Sequence, residues 1–176
     1  QEYELIKNNI LYIQLKNNIA KMLETGEVYD GYTTHYKKEK NIHIVTNAVQ
    51  HALLLSEQNN DVLLIGGKLK NTTQAIIGTT SIEQLSRYRF NKAFLGINGI
   101  DKHYGFTTPD PEEAAVKQQA FMNSSKAYVL ADETKFNKVT FVKVCNMDDA
   151  LIITDHLTAK KYESYYTTTT ILEAKS

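Results

Sequence analysis

The sequence holds one cysteine, no net charge and no long apolar run. A lone Cys145 cannot form an internal disulfide framework or a cysteine-based zinc site, and it fits a reducing, cytoplasmic setting. The 20 Lys+Arg cancel the 20 Asp+Glu. Domains that hold nucleic acid usually carry a clear basic excess to neutralise phosphates, so this chain alone is not expected to be one. Apolar runs such as Val62-Leu63-Leu64-Ile65 fall far short of the roughly 18 residues that span a membrane, so no membrane partner is expected. His35, His43, His51, His103 and His156 lie apart with no i,i+4 pairing, so no metal site is expected; no cofactor is expected either. The start, Gln1-Glu2-Tyr3, is too polar for a signal peptide and lacks Met, so the chain is expected to be an excised fragment.

What is present is an ordinary globular composition, 42% hydrophobic and 23% charged over 176 residues. That length suits one domain whose core buries roughly 70% of the unfolded surface. Leu11, Leu15, Ile19, Met22 and Leu23 recur at spacings of three and four and predict a helix over 10–25, closed by Gly26. A short strand at 27–30 follows, then a polar turn. A strand over 42–45 runs into Thr46-Asn47 and a helix with Val49, Ala52, Leu53 and Leu55 facing inward. Further strands are predicted at 61–65, 74–77, 93–97, 128–131, 140–144, 151–153 and 169–173. Further helices are predicted at 79–87 (capped by Thr79 or Thr80), 111–124 and 158–166, with a loop rich in Gly and Asn after Ile97. This order predicts an α/β fold with a largely parallel, Rossmann-like sheet and helices on both faces. Such sheets bind ligands at the carboxyl ends of their strands, where this chain concentrates Gly, Asn, Thr and Asp.

Each candidate motif has an ordinary structural reading beside its functional one. Asp30-Gly31-Tyr32-Thr33-Thr34 can hold an anion through its amides and the hydroxyls of Thr33 and Thr34, or be a plain turn. Thr46-Asn47 closes a strand; Asn47 is either a helix N-cap or an amide aimed into the cleft. Gly66-Gly67 permits close approach by a ligand, or a tight turn. Asn98, Gly99, Asp101 and Gly105 give a loop with polar groups that can fold over a cleft. Asp110-Pro111-Glu112-Glu113 is a helix start with Asp110 as cap and Pro111 at the first position, resembling a capping box. Glu113 and Lys117 are spaced for a helical ion pair; alternatively they face the cleft and bind sugar hydroxyls or phosphate. Lys135, in Asp132-Glu133-Thr134-Lys135-Phe136, is a phosphate-binding point charge or a solvated loop lysine.

The order of these motifs is more specific than any one of them. Val45-Thr46-Asn47, Leu64-Ile65-Gly66-Gly67-Lys68-Leu69, Ile77-Gly78 and the stretch from Ala93 to Asp101 resemble the C-terminal sensor domain of DeoR-family transcriptional regulators. So do Gly105-Phe106-Thr107-Thr108, Glu112-Glu113 to Lys117, Leu130-Ala131-Asp132 and Lys135-Phe136, and the likeness covers about residues 10–155. The resemblance implies a fold related to phosphosugar isomerases and CoA transferases, and binding of a phosphorylated sugar effector without turnover. Thr107-Thr108-Pro109-Asp110-Pro111-Glu112-Glu113-Ala114 looks most like repressors of fructose operons, which implies fructose 1-phosphate. The stretch from Asn41 to Asn47 looks similar in regulators of lactose or tagatose use. Two departures stand out. Asn91 occupies a position where the family usually has Asp. The segment from Gly26 to Val45 is several residues shorter than the family's strand, loop and helix, and omission of residues is the expected reason.

The resemblance implies an effector site of Asp30, Gly31, Thr33, Thr34, Thr46, Asn47, Gly66, Gly67, Asn98, Gly99, Asp101, Gly105, Glu113, Lys117 and Lys135, with no catalytic residue. Residues 1–9 are expected to be a linker remnant from a missing N-terminal helix-turn-helix domain, and 10–176 the phosphosugar-sensing domain. A homo-oligomer, dimer or tetramer, is expected, because symmetric operators need symmetric proteins. Two rival readings remain. One is a phosphosugar isomerase with Glu113 or Asp101 as base and His103 nearby, disfavoured by the lack of a dense acid/base cluster. The other is a dimerisation module without ligand. A mobility-shift assay of this neutral chain with operator DNA is expected to show no retarded band.

Overall fold

The computed structural model describes residues 43–57, 61–154, 157 and 162–173. The predicted helix 10–25, the strand 27–30, the Asp30 to Thr34 turn and the 1–9 linker lie outside the described residues. In order, the elements are β1 (His43–Thr46), α1 (Val49–Ser56), β2 (Asp61–Leu64), β3 (Lys68–Lys70), β4 (Ala75–Ile77), α2 (Thr79–Ser86), β5 (Phe90–Gly96), β6 (Gly99–Asp101) and β7 (Gly105–Thr108). They continue with α3 (Pro111–Met122), β8 (Ser124–Leu130), β9 (Val142–Cys145), β10 (Leu151–Thr154), α4 (Glu163–Tyr166) and β11 (Ile171–Glu173). Short 3-10 turns, Glu133–Lys135 and Met147–Asp149, precede β9 and β10.

A four-stranded parallel sheet in the order β11-β10-β8-β5 forms the centre, and β1 and β2 form a second parallel pair. Successive side chains on a strand point to opposite faces. Ala93, Leu95, Ala127, Val129 and Ile152 therefore enter the large core on one face. Phe94, Tyr128, Leu130, Ile153 and Leu172 pack together on the other. Phe94 and Tyr128 are direct cross-strand neighbours and stack with centroids 5.1 Å apart. Apolar residues on both faces are what a doubly covered parallel sheet requires, and the predicted α/β class holds.

Helix α3 links β5 to β8 and fixes the polarity of the site. It ends at Met122, directly before β8, and Gly96 and Leu130 are in register at the other end of their strands. The N-terminus of α3 thus sits at the carboxyl end of the sheet. Ala114 joins the large core, while Val116 joins a second cluster with Ile65, Ile77 and Leu85. At about 100° per residue, Glu113 and Lys117 fall on the arc between these two apolar contacts. Asn123 closes the helix: its side-chain amide donates to the carbonyls of Leu85 and Tyr88, tying the end of α3 to that of α2.

Several local expectations change. The loop after Ile97 is an antiparallel unit, β6-β7-β9. Lys68 to Lys70, predicted as no element, pairs with β4 as a hairpin. The N-cap of α2 is Gly78, not Thr79 or Thr80, and that of α1 is Ala48, not Asn47; neither has a side-chain cap. Leu53, expected inward, is 60% exposed. The strand β8 starts four residues earlier than predicted, at Ser124. Of the last helix, the described part is the single turn of α4. Its Tyr165 is fully buried, stands edge-on to Phe136, donates to Ile100 O and Asn137 Oδ1, and accepts from Asn137 N.

Gly105 opens β7 with φ +78, and a Cβ there would collide with the carbonyl oxygen of Cys145 on β9. Both the left-handed backbone and the close approach demand glycine. Gly105→Ala is expected to lower stability by roughly 1–3 kcal/mol. Gly96→Ala, which meets nothing within 4 Å, is expected to stay within about 0.5 kcal/mol of the parent. Urea denaturation midpoints of the two variants check the contrast.

Candidate functional site

The N-terminus of α3 is capped as the sequence indicates. Asp110 Oδ1 accepts from the amides of Glu112 (2.8 Å) and Glu113 (3.0 Å), with Pro111 at the first helical position. The other Asp110 oxygen does something the sequence did not reveal. Oδ2 lies 2.5 Å from Nζ of Lys70, which reaches across from β3. Lys70 also lies 3.0 Å from Glu113 Oε1. Thr73, in the turn of the same hairpin, donates its hydroxyl to that oxygen at 2.8 Å. Lys117 approaches Glu113 Oε2 at 3.6 Å. Among the described residues, the carboxylate of Glu113 turns to these three partners instead of completing a capping box.

Four charges thus alternate along a chain: Asp110, Lys70, Glu113, Lys117. The Glu113 side chain is 9% exposed and that of Lys117 is 19% exposed. The hydrogen bond from Lys70, and then the Glu113 amide, hold Asp110 below the usual carboxylate range. Burial pushes Glu113 up, but Thr73, Lys70 and Lys117 together outweigh it, and the net shift is downward. Lys70 is raised by its bonds to Asp110 and Glu113. Lys117 goes the other way: burial lowers it more than Glu113 raises it. The lysine that is desolvated most is therefore the one with the looser counter-ion.

Other predicted residues attach to this cluster through the hairpin and the β7–α3 junction. The side-chain amide of Asn47 donates to Ile76 O at 3.2 Å, and the Asn47 backbone carbonyl accepts from Ile76 N at 2.7 Å, which fastens the end of β1 to β4. Thr46 Oγ1 accepts from the Ala48 amide. Asn98 Oδ1 accepts from Thr108 at 2.8 Å, two residues before Asp110, so its amide nitrogen faces away from that bond. The amide of Gly66 donates to Gln84 Oε1 and its carbonyl accepts from Ser81, both on α2. A Cβ at Gly67 would collide with the Ser81 hydroxyl.

A second group gathers around β6 and β7. Asp101 Oδ1 accepts from the amides of His103 (2.8 Å) and Tyr104 (3.0 Å), which fold the hairpin tip and lower its pKa. A Cβ at Gly99 would lie 2.5 Å from Thr107 Oγ1 and 2.6 Å from Lys138 O. Lys135 sits in the 3-10 turn beyond the carboxyl end of β8, 3.9 Å from Asp132. Its neighbour Phe136 bridges to Ile100 of β6. Among the described residues, no hydrogen bond or ion pair joins Asp101, Gly105 or Lys135 to the Glu113 cluster. Asp30, Gly31, Thr33 and Thr34 lie outside the described residues.

Burial pushes the Cys145 thiol up to about 12, away from the thiolate form that reacts. Among the described residues there is no group of His, Cys, Asp and Glu suited to a metal ion, and no helix long and apolar enough to cross a membrane. Lys70 and Thr73 are the residues that sequence reasoning missed. The alternation in Lys68-Leu69-Lys70 was the available signal for the strand, but nothing local marks their partners on α3.

Asp110 and Glu113 both hold their protons less tightly folded than unfolded. The stability this contributes is present above the unfolded carboxylate range, about pH 4, and is lost as pH falls through the lower folded values. Urea midpoints measured between about pH 6 and pH 2 are expected to drop on the acid side. Asp110→Asn, which keeps a good cap, is expected to flatten that drop.

The family described as DeoR C terminal sensor domain matches residues 18–156. The chain is 38% identical over 171 residues to the "Uncharacterized HTH-type transcriptional regulator FruR" of Bacillus subtilis (strain 168), covering 93% of this chain and 68% of that protein. It is 36% identical over 112 residues to the HTH-type transcriptional regulator GlpR of Haloferax volcanii, covering 63% of this chain and 44% of that protein. It is 30% identical over 141 residues to the lactose phosphotransferase system repressor of Lactococcus lactis, covering 78% of this chain and 55% of that protein. The chain thus spans about two thirds of the first relative and about half of the other two. With the family's match running from before β1 to just past β10, this chain belongs to the DeoR C-terminal sensor domain family.

Proposed function

We propose that this chain is the effector-binding domain of a bacterial regulator of sugar catabolism, and that it binds a phosphorylated sugar, fructose 1-phosphate in the first instance. The observation that carries this reading is the ion pair of the buried Glu113 and the half-buried Lys117, on the arc of α3 between its two apolar contacts at the carboxyl end of the sheet. Burying an ion pair gains little stability over apolar packing, so such a pair at the carboxyl end of a parallel sheet supports a ligand-binding reading.

In this reading Lys117 and Lys135 meet the phosphate, together with the amides and hydroxyls of Asp30 to Thr34. Glu113, Asn98, Asn47 and Asp101 meet the sugar hydroxyls. The role is regulatory, in keeping with relatives named as transcriptional regulators and repressors. Effector binding shifts the population of subunit arrangements in a cytoplasmic homo-oligomer, and so the spacing of N-terminal DNA-binding modules on the operator. A second reading, tagatose 6-phosphate, is favoured by the likeness to a lactose phosphotransferase system repressor.

Calorimetric titration with fructose 1-phosphate, fructose 6-phosphate and tagatose 6-phosphate is the test. Saturable binding of fructose 1-phosphate, tighter than the other two, is expected. Preference for tagatose 6-phosphate would move the assignment to the second reading, and binding of none of the three would remove the phosphosugar reading.

A further inference from the structure

We propose that Lys70 is a positioning residue of this site, which occupies the carboxylates around it so that Lys117 is the cation an anionic ligand meets. The inference rests on the phosphosugar reading above and adds to it a residue contributed by the β3–β4 hairpin.

The argument is geometric. Lys70 lies between two carboxylates, at 2.5 Å from Asp110 and 3.0 Å from Glu113. On Glu113 it shares Oε1 with the Thr73 hydroxyl, so that oxygen is engaged from the hairpin side. Lys117 stands on the Oε2 side at 3.6 Å, a looser contact, although its side chain is the less exposed of the two lysines, 19% against 25%. Lys70 is thus committed to protein carboxylates, and Lys117 is the desolvated cation with coordination to spare. The four groups sum to zero. The nearby Lys68–Glu112 pair, 3.9 Å apart and more exposed, balances itself.

Removing the charge of Lys70 leaves two carboxylates against one ammonium, pulls Lys117 onto Glu113 and makes the site repel phosphate. Removing the charge of Asp110 does the opposite and leaves the site positive. Opposite signs from two residues that touch each other are the signature of charge positioning. A purely structural bridge would weaken binding from either side, or leave it unchanged.

The experiment titrates the chain and its variants with the three sugar phosphates named above, at low ionic strength, following whichever binds the parent tightest. Lys70→Met is expected to weaken affinity by about tenfold and Asp110→Asn to strengthen it by about threefold, as one unit charge near a partly buried anion site implies. Lys70→Arg, which keeps the charge, is expected to stay within about threefold of the parent. Shifts in the same direction for Lys70→Met and Asp110→Asn, or no shift in either, overturn the inference while the phosphosugar reading stands. A parent chain that binds none of the three removes both. Circular dichroism checks folding. Should Lys70→Met fail to fold, Asp110→Asn decides alone: tighter binding supports the inference, and weaker or unchanged binding overturns it.

Discussion

The carboxylate of Glu113 is the constraint around which the carboxyl end of this molecule is arranged. An ionised carboxylate taken out of water is costly unless hydrogen-bonded and paired. Its partners come from two elements far apart in sequence: Thr73 and Lys70 from the hairpin, and Lys117 from one helical turn further along α3. Lys70 in turn needs Asp110, which is already engaged as the helix cap. The hairpin that delivers Lys70 is fastened through Ile76 to Asn47 and through Ala75 to Ala48. One buried charge thereby couples the end of the first parallel pair to the start of the helix that spans both cores.

That helix explains why the charge lies where it does. With Ala114 in one apolar cluster and Val116 in the other, the arc between them faces a junction instead of a single core. Leucine there would fill the junction more simply, since replacing a buried ion pair by packed apolar groups is often neutral or stabilising. Charge at a position that stability alone does not require is reasonable in a sensor. The groups paired around Glu113 also set how firmly the hairpin is held.

Much of the fold was legible in the sequence because it rests on short-range patterns. The apolar runs Ala93 to Leu95 and Tyr128 to Leu130, the Asp110-Pro111 helix start and the strand–helix order all translate directly into structure. The hairpin β6–β7 was not legible: three or four residues opening on glycine look like a loop until β9 supplies a partner. The glycines were visible but ambiguous. At Gly67, Gly99 and Gly105 the atoms that exclude a side chain belong to the protein itself. Close approach was the right physical reason, and its partner was the chain's own backbone and hydroxyls. The inward placement of Leu53 failed because an eight-residue helix on a two-stranded sheet has less to bury than the pattern implies.

By itself, the sequence determined the α/β class, the cap of α3, the Glu113–Lys117 spacing and the family likeness, because each depends on residues within a few positions or on their order along the chain. Tertiary structure alone decided that Asp110 also binds Lys70, that Thr73 and Lys70 engage Glu113, and that, among the described residues, Asp101 and Lys135 make no hydrogen bond or ion pair with that cluster. Those pairings join residues 40 apart. Only the register of a hairpin against a helix sets them, and no local pattern encodes that register.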